Sequence, residues 1–446
     1  MGIVARVGSV LQQLFGPIAA SAAEASGVIR RKRKFTGIGL AKTFVLGFLQ
    51  DAKASDEDLA QMAAQCGVDV TPQAVEQRHS PQMVKFLETL FREGTKLVVA
   101  SDRSLAPIRE RFASVTMLDS STITLPDSMQ EPFAGCGGSY GSGQAAMKLQ
   151  TEWDLRSGAL SHVEIEPGRS SDGGTIRQQA RRGPGSLRSA DLGDFNVAVF
   201  ADRMAADEHF LSRLQLGTGV LLPDGQAVEL LAWLASQPGP FVDRPILLGK
   251  EQRLACRSIA WRVPEEQANR RRQKLRQEIL RKRGQEPSAE RLAWCDWTIL
   301  VTSLPPEMLM PKEAVVLYRA RWQVELLFKR WKSQDLVAVL SGSTEVRQRV
   351  RVWSRLLAAL VQHWLVVTSA WGDPTKSLCK VCEAIRPLVS RIAAALPRLD
   401  GLLQTLADLC RAIARTCKRN KRKKPGTFEL LNDVELLDFC LGIAPK

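Results

Sequence analysis

Residues 318 to 332, YRARWQVELLFKRWK, set large apolar side chains among arginines, lysines and a single carboxylate. At about 100° per residue a helix places Tyr318, Arg321, Glu325 and Lys332 within an arc of roughly 60°. Ala320, Val324, Leu327, Phe328 and Trp331 fill an arc of roughly 100° beside it. One side is core, and a phenol, a guanidinium, a carboxylate and an ammonium run along its border. An ordinary amphipathic helix keeps such populations on opposite faces. Taken alone, the pairs Arg321–Glu325 and Glu325–Lys329 at i,i+4 read as an ion-pair ladder. Only the rest of the chain decides whether the border is a site.

The chain has 446 residues, enough for several domains, with 45% hydrophobic and 24% charged residues, the composition of a globular protein. Lys plus Arg number 62 against 47 Asp plus Glu, a net charge of +15, which points first to nucleic acid as partner and away from a membrane. No apolar run is expected to reach the roughly 20 residues of a spanning helix. The nearest, 356 to 371, is interrupted by Gln362 and His363, and no secretory signal pattern opens the chain. Nine scattered cysteines fit a reducing cytoplasm. The lone Cys379-Lys-Val-Cys382 lacks the further ligands a zinc site needs, so no zinc is expected.

Along the chain, Ser55 with Asp58 makes a capping-box helix start, and Thr71-Pro72 and Ser80-Pro81 open two more helices. The turn at 67 to 70 resembles helix-turn-helix geometry, whose second helix would offer Gln73, Gln77 and Arg78 to DNA. The cluster at 30 to 34 and the run at 418 to 424 are basic, the latter read as a solvated tail. From 114 the texture becomes strand-like: a strand closing at Asp119, a glycine-rich loop at 135 to 143, a hairpin turning at 156 to 158, and a helix over 172 to 182. A short strand at 187 to 192 and a helix capped by Asn196 follow, although 197 to 201 also reads as a buried strand presenting Asp202. Further strands are expected near 209 to 214, 220 to 222, 246 to 248, 255 to 261 and 297 to 301, with a basic helix over 265 to 283. Helices over 311 to 334, 345 to 371, 376 to 394 and 398 to 417 complete the chain.

Phosphodiester chemistry without a covalent intermediate needs divalent cations held by carboxylates, and oxygen ligands suit magnesium. Asp119 at a strand end and Glu325 on its border arc fit such a role. Asp154, Asp172, Asp191, Asp194, Asp202 and Asp207 compete for the remaining place, and local reading does not choose among them.

Here the sequence resembles a family. Tyr318-x2-Arg321-x3-Glu325-x6-Lys332, preceded by WTILVTSLPPE at 297 to 307, is similar to the Y-R-E-K signature of bacterial cut-and-paste DDE transposases of the insertion-sequence-four type. Asp119-Ser-Ser-Thr-x-x-Leu-Pro resembles the family's first-aspartate segment, and Ala190-Asp-Leu-Gly-Asp-Phe195 its second. Lys148 with its hairpin and the basic helix before Trp297 also resemble it, and the likeness spans roughly 40 to 370. The resemblance implies an α/β (α+β) protein with an RNase H-like core. Its parts would be an N-terminal helical DNA-binding domain (1–105), the core (106–214 and 299–372) split by a β-rich insertion with a basic helix (215–298), and a C-terminal helical region (373–446) that serves dimerisation and ends in a basic tail. It implies metal ligands Asp119, Asp191 and Glu325 holding two Mg2+ ions, with Mn2+ as a substitute. Asp194 stands where the family usually has an aromatic, so Asp194 and Asp202 remain alternatives to Asp191.

The resemblance also implies DNA contacts through Tyr318, Arg321, Lys332 and Lys148, with Arg78 offered by the helix-turn-helix reading and Arg213 as a strand-end phosphate contact or salt-bridge partner. It further implies a hairpin intermediate whose extruded base Trp297, backed by Trp294, would hold, unless both rings are core. The partners implied are transposon-end and target DNA and a second copy of the chain, in the cytoplasm at the nucleoid. A catalytically inactive end-binding regulator and a metal nuclease without strand transfer are the rival functions.

Overall fold

The computed structural model describes residues 2–29, 34–102, 104, 106–137, 144–170, 180–239, 241–333, 344–420 and 424–441. The expected helix over 172 to 182, most of the glycine-rich loop and most of the cluster at 30 to 34 lie outside the described residues. The chain divides into two compact units. The first comprises Met1–Leu105, Asp119–Ser170 and Gln323–Lys421; the second comprises Ala106–Leu118, Ser171–Trp322 and Arg422–Lys446.

The first unit is a helical assembly with a small sheet. Strand β1 (Val115–Leu125) contributes residues 119–125 beside the hairpin of β2 (Ala145–Asp154) and β3 (Leu160–Pro167), in the order β3-β2-β1. β2 and β3 are antiparallel, with Lys148 opposite Glu166. The helix Glu345–Ala370, 26 residues long, is buried almost all round from Val352 to Val367, with its arginines concentrated toward the start. It packs against Pro81–Gly94 and Gly37–Gln50. Ser55 and Asp58 form the expected capping box, and Thr71 and Ser80 cap their helices through side-chain oxygens.

Two expectations fail here. The stretch Ile3–Ser26 is 24 residues long and, by length and composition alone, apolar enough to cross a membrane. It was overlooked because no unbroken apolar run marks it. Pro17 interrupts its helix, Gly16 leaves helical geometry (φ −125, ψ −106), and Val7, Leu11 and Leu14 are wholly buried in the unit. The start of the basic run, residues 418 and 419, is also held by backbone contacts rather than free in solvent; 421–423 lie outside the described residues. The Arg419 backbone N–H donates to Thr375 O at 2.9 Å, its Nε donates to Lys376 O at 2.9 Å, and Lys418 bridges Lys376.

The second unit is built on a mixed sheet. Residues 115–117 of β1 pair in parallel with β4 (Leu187–Ala190), and β4 pairs in parallel with β5 (His209–Arg213). β9 (Trp297–Thr302) is antiparallel to β5. The insertion strands β6 (Val220–Leu221), β7 (Phe241–Leu248) and β8 (Leu254–Arg262) extend the sheet in the order β1-β4-β5-β9-β8-β7-β6. Residues 197 to 201 are helical, not a strand: Asn196 accepts from Ala198 and Val199 and starts Val197–Ala205. That helix drops Phe200 onto Phe210, rings stacked 4.3 Å apart, in a core shared with Trp297, Ile299 and Val301. Beneath it the buried pair Arg203–Glu208 (2.6 Å) is saturated by backbone partners, including Gly183 N–H on Glu208 and Ala180 O on Arg203.

Candidate active site

Within the first unit, Asp119 and Glu325 stand on packed elements. β1 does not close at Asp119 as expected but runs on to Leu125, because Thr122, Ile123 and Thr124 continue the β-branched alternation with Ile123 and Leu125 buried. Asp119 is half-buried, and its Oδ1 accepts the Ser120 backbone N–H at 2.8 Å. Glu325 is half-buried on Trp322–Ser333, whose Val324, Leu327, Phe328 and Trp331 are buried as the apolar arc requires. Lys332 Nζ donates to Thr122 O at 3.2 Å and so ties this helix to β1, three residues beyond Asp119.

The single helix expected over 311 to 334 is two: Pro311–Arg319 and Trp322–Ser333. The last turn of the first tightens, with Arg321 N–H bonding Tyr318 O at 3.0 Å, an i−3 pairing in place of i−4. No proline or glycine marks this break. Tyr318 and Arg321 therefore belong to a terminus and a turn.

Within the second unit that turn faces Asp191. Parallel pairing of β1 and β4 runs to Met117 opposite Ser189, two residues before Asp191. Asp191 follows β4 directly and caps the turn Leu192–Asp194. Its Oδ1 lies 3.5 Å from Arg321 NH2, longer than a charge-assisted hydrogen bond, and Asp191 is 45% exposed where Arg321 is 7%. Tyr318 is 7% exposed, and its hydroxyl is buried beside the Arg321 guanidinium. Burial pushes the phenol up to about 12, against the opposing pull of the Arg321 charge, so it stays a neutral donor at any working pH. Arg213, half-buried at the end of β5, is a further cation near Tyr318. The border arc of the sequence thus contributes to two places: Glu325 and Lys332 by β1, Tyr318 and Arg321 by Asp191.

The other candidates fall elsewhere. Asp202 is exposed on the helix after Asp191, and Asp194 is half-buried at the end of the intervening turn. Lys148 is 7% exposed, and its ammonium donates to Ser170 O. Arg78 lies over the Phe35 ring, 5.4 Å from its centroid. Trp297 is core: it is 9% exposed in the cluster around Phe200 and Phe210, so its ring is not presented for a base. Trp294 packs partly buried against the same cluster. The aromatic that sequence reading passed over is Trp322, 57% exposed, with the Arg321 guanidinium 5.9 Å from its ring. Its signal was angular. At about 40° from Tyr318 on the helical projection, Trp322 lies outside the apolar arc and beside the border arc.

Asp119, Asp191 and Glu325 offer carboxylate oxygens only, the donor set of a hard divalent cation. Each is partly buried, and among the described residues no three or more His, Cys, Asp or Glu are gathered so that they could hold a metal ion.

The transposase DDE domain family model matches residues 110–361, more than half of the chain. The chain is 26% identical over 360 residues to the transposase for insertion sequence element IS231B of Bacillus thuringiensis subsp. berliner, covering 75% of this chain and 74% of that protein. It is 28% identical over 355 residues to the transposase for IS231D of Bacillus thuringiensis subsp. finitimus (74% and 73%). It is 22% identical over 375 residues to the transposase for IS1151 of Clostridium perfringens (78% and 77%). With its parallel β1-β4-β5 core extended by insertion strands, and helices at both termini, the chain belongs to the DDE transposases of insertion-sequence type, with an RNase H-like domain.

Proposed function

We propose that this transposase binds the terminal repeats of its element, nicks each end, and joins the freed 3′ ends to target DNA through a hairpin stage. The observation that carries this reading is the gathering of the Arg321 guanidinium, the Tyr318 phenol and the Arg213 cation beside the carboxylate of Asp191. Asp119, Asp191 and Glu325 would hold two magnesium ions, which when bound supply an activated water and a clamp on the attacking and leaving oxygens.

The chain's own groups do the positioning. Arg321 offers a planar fork to a phosphate, beside the carboxylate of Asp191. Tyr318 donates its hydroxyl proton to a phosphate oxygen near the scissile bond. Lys332 adds a point charge from the edge of β1. A hairpin bends one strand sharply and unstacks a base, and Trp322, the exposed indole beside Arg321, takes the stacking role that the sequence assigned to Trp297. Two ends must meet, so the working species is a homodimer, at the nucleoid in the cytoplasm.

The test follows products from an end-labelled duplex cut from the flanks of the gene, with its inverted repeat, in magnesium. A nick, then a hairpin, then joined product supports the reading. Cleavage without joining identifies a nuclease, and binding without cleavage a regulator.

A further inference from the structure

The helix Glu265–Arg283 buries only Ala268, yet it is 19 residues long and carries eight cations against three carboxylates. A helix with so little apolar contact is not retained for packing. It is nevertheless held at a fixed rotation. Arg271 donates to Trp297 O and to Thr298 Oγ1, both at 2.9 Å, and Arg272 pairs with Asp296. With Ala268, Leu275 and Ile279, these anchors occupy one arc of roughly 100°.

The opposite arc, about 60° wide, presents Arg270, Lys274, Gln277 and Arg281 over a line of about 16 Å. All four are exposed. Arg270 pairs with Glu266, and Glu278 is taken up by Lys282, whereas Lys274 and Arg281 make no hydrogen bond or ion pair among the described residues. The helix is rooted, through its anchored arc, beside the cation that adjoins Tyr318: Arg213 faces Arg271 at the root of the helix.

We infer that this exposed face of Glu265–Arg283 grips phosphates of the transposon-end duplex whose strand occupies the site. The inference rests on the transposase reading above. Duplex DNA carries a charge every ~1.7 Å of its axis, so a line of this length spans several phosphates. Its cationic donors are long and lie on one line along the helix, so the contact inferred is to the phosphate backbone, which fixes register without reading sequence.

The experiment measures log K against log salt for wild type and for Lys274→Ala/Arg281→Ala. Two duplexes of equal length are used: one with the flanking inverted repeat, one unrelated. Wild-type nicking of the repeat duplex is run in parallel. The slope of the double variant on the repeat duplex should fall by up to about 1.8, near 0.9 per lost phosphate contact. The charge-preserving Lys274→Arg/Arg281→Lys should restore it, which separates loss of charge from loss of fold. An unchanged slope with wild-type nicking intact overturns the inference and leaves the transposase reading standing. A fall confined to the unrelated duplex also overturns it, in favour of a target-DNA surface. Wild type that neither binds nor nicks removes the transposase reading, and the inference with it.

Discussion

Arg321 carries three relations at once: the ion pair with Asp191, and the approach of its guanidinium to the rings of Tyr318 (6.0 Å) and Trp322 (5.9 Å). A lysine keeps the charge but neither the fork nor the stacking plane. Arg321→Lys should therefore lower end cleavage by ten- to a hundredfold, in line with about 1.5–3 kcal/mol for a hydrogen bond to a charged group. Unchanged cleavage rates would remove Arg321 from the site. At Arg203 the expectation concerns stability alone. Removing one member of a buried pair leaves Glu208 charged and uncompensated, so Arg203→Ala should cost about 3–5 kcal/mol, read as a drop in the urea midpoint. Individual site residues were only partly legible in the sequence. Asp191 was singled out from Asp194 and Asp202 by resemblance alone, since no local pattern separates a strand end from a turn a few residues later. Trp297 misled for the opposite reason: a large indole beside a basic helix has the composition of a binding site and the burial of a core.

Elements were more legible than their joints. The basic helix Glu265–Arg283 and the long helix Glu345–Ala370 stand where charge and periodicity put them, and the turn after Arg156 closes the expected hairpin. The break between Pro311–Arg319 and Trp322–Ser333 left no trace, since a shift from i−4 to i−3 pairing needs no special residue. β1 outran its expected end because serines and a threonine after Asp119 look like a loop, whereas alternate burial makes them strand. The hairpin turn shows how tightly such joints are built. Gly158 sits at φ +77, its carbonyl accepts from Trp153 Nε1 at 2.9 Å, and a Cβ there would stand 2.6 Å from the Trp371 ring. Gly158→Ala combines a left-handed penalty with overpacking and should destabilise by about 2–4 kcal/mol, seen as a lower melting temperature. A wild-type melting curve would contradict that packing.

At the scale of the whole molecule, acid should weaken the fold through His363. Its ring is fully buried, and Nε2 donates to Gly158 O at 2.7 Å, so the histidine is neutral. Burial first, and the Arg330 charge second, push it down to about 3. In the unfolded chain it titrates near 6.5. Between those values the unfolded state takes up a proton that the native state refuses. The contribution is thus fully present above about pH 6.5 and is lost progressively toward pH 3. The urea midpoint should fall over this window, and His363→Gln should flatten the fall; an equal slope in both proteins would contradict it. The general plan, a helical region, a split α/β core and a basic insertion, was legible because charge, strand pattern and signature agree over most of the chain.

The central claim, that Glu325 serves a DNA-cutting site, has one direct test. Wild type and Glu325→Ala are incubated with the inverted-repeat duplex and magnesium and run on a denaturing gel, with binding checked by gel shift. The account predicts nicks at the repeat boundary and a hairpin for wild type, and equal binding without cleavage for the variant. Equal cleavage by both proteins, or none by either while both bind, would contradict it.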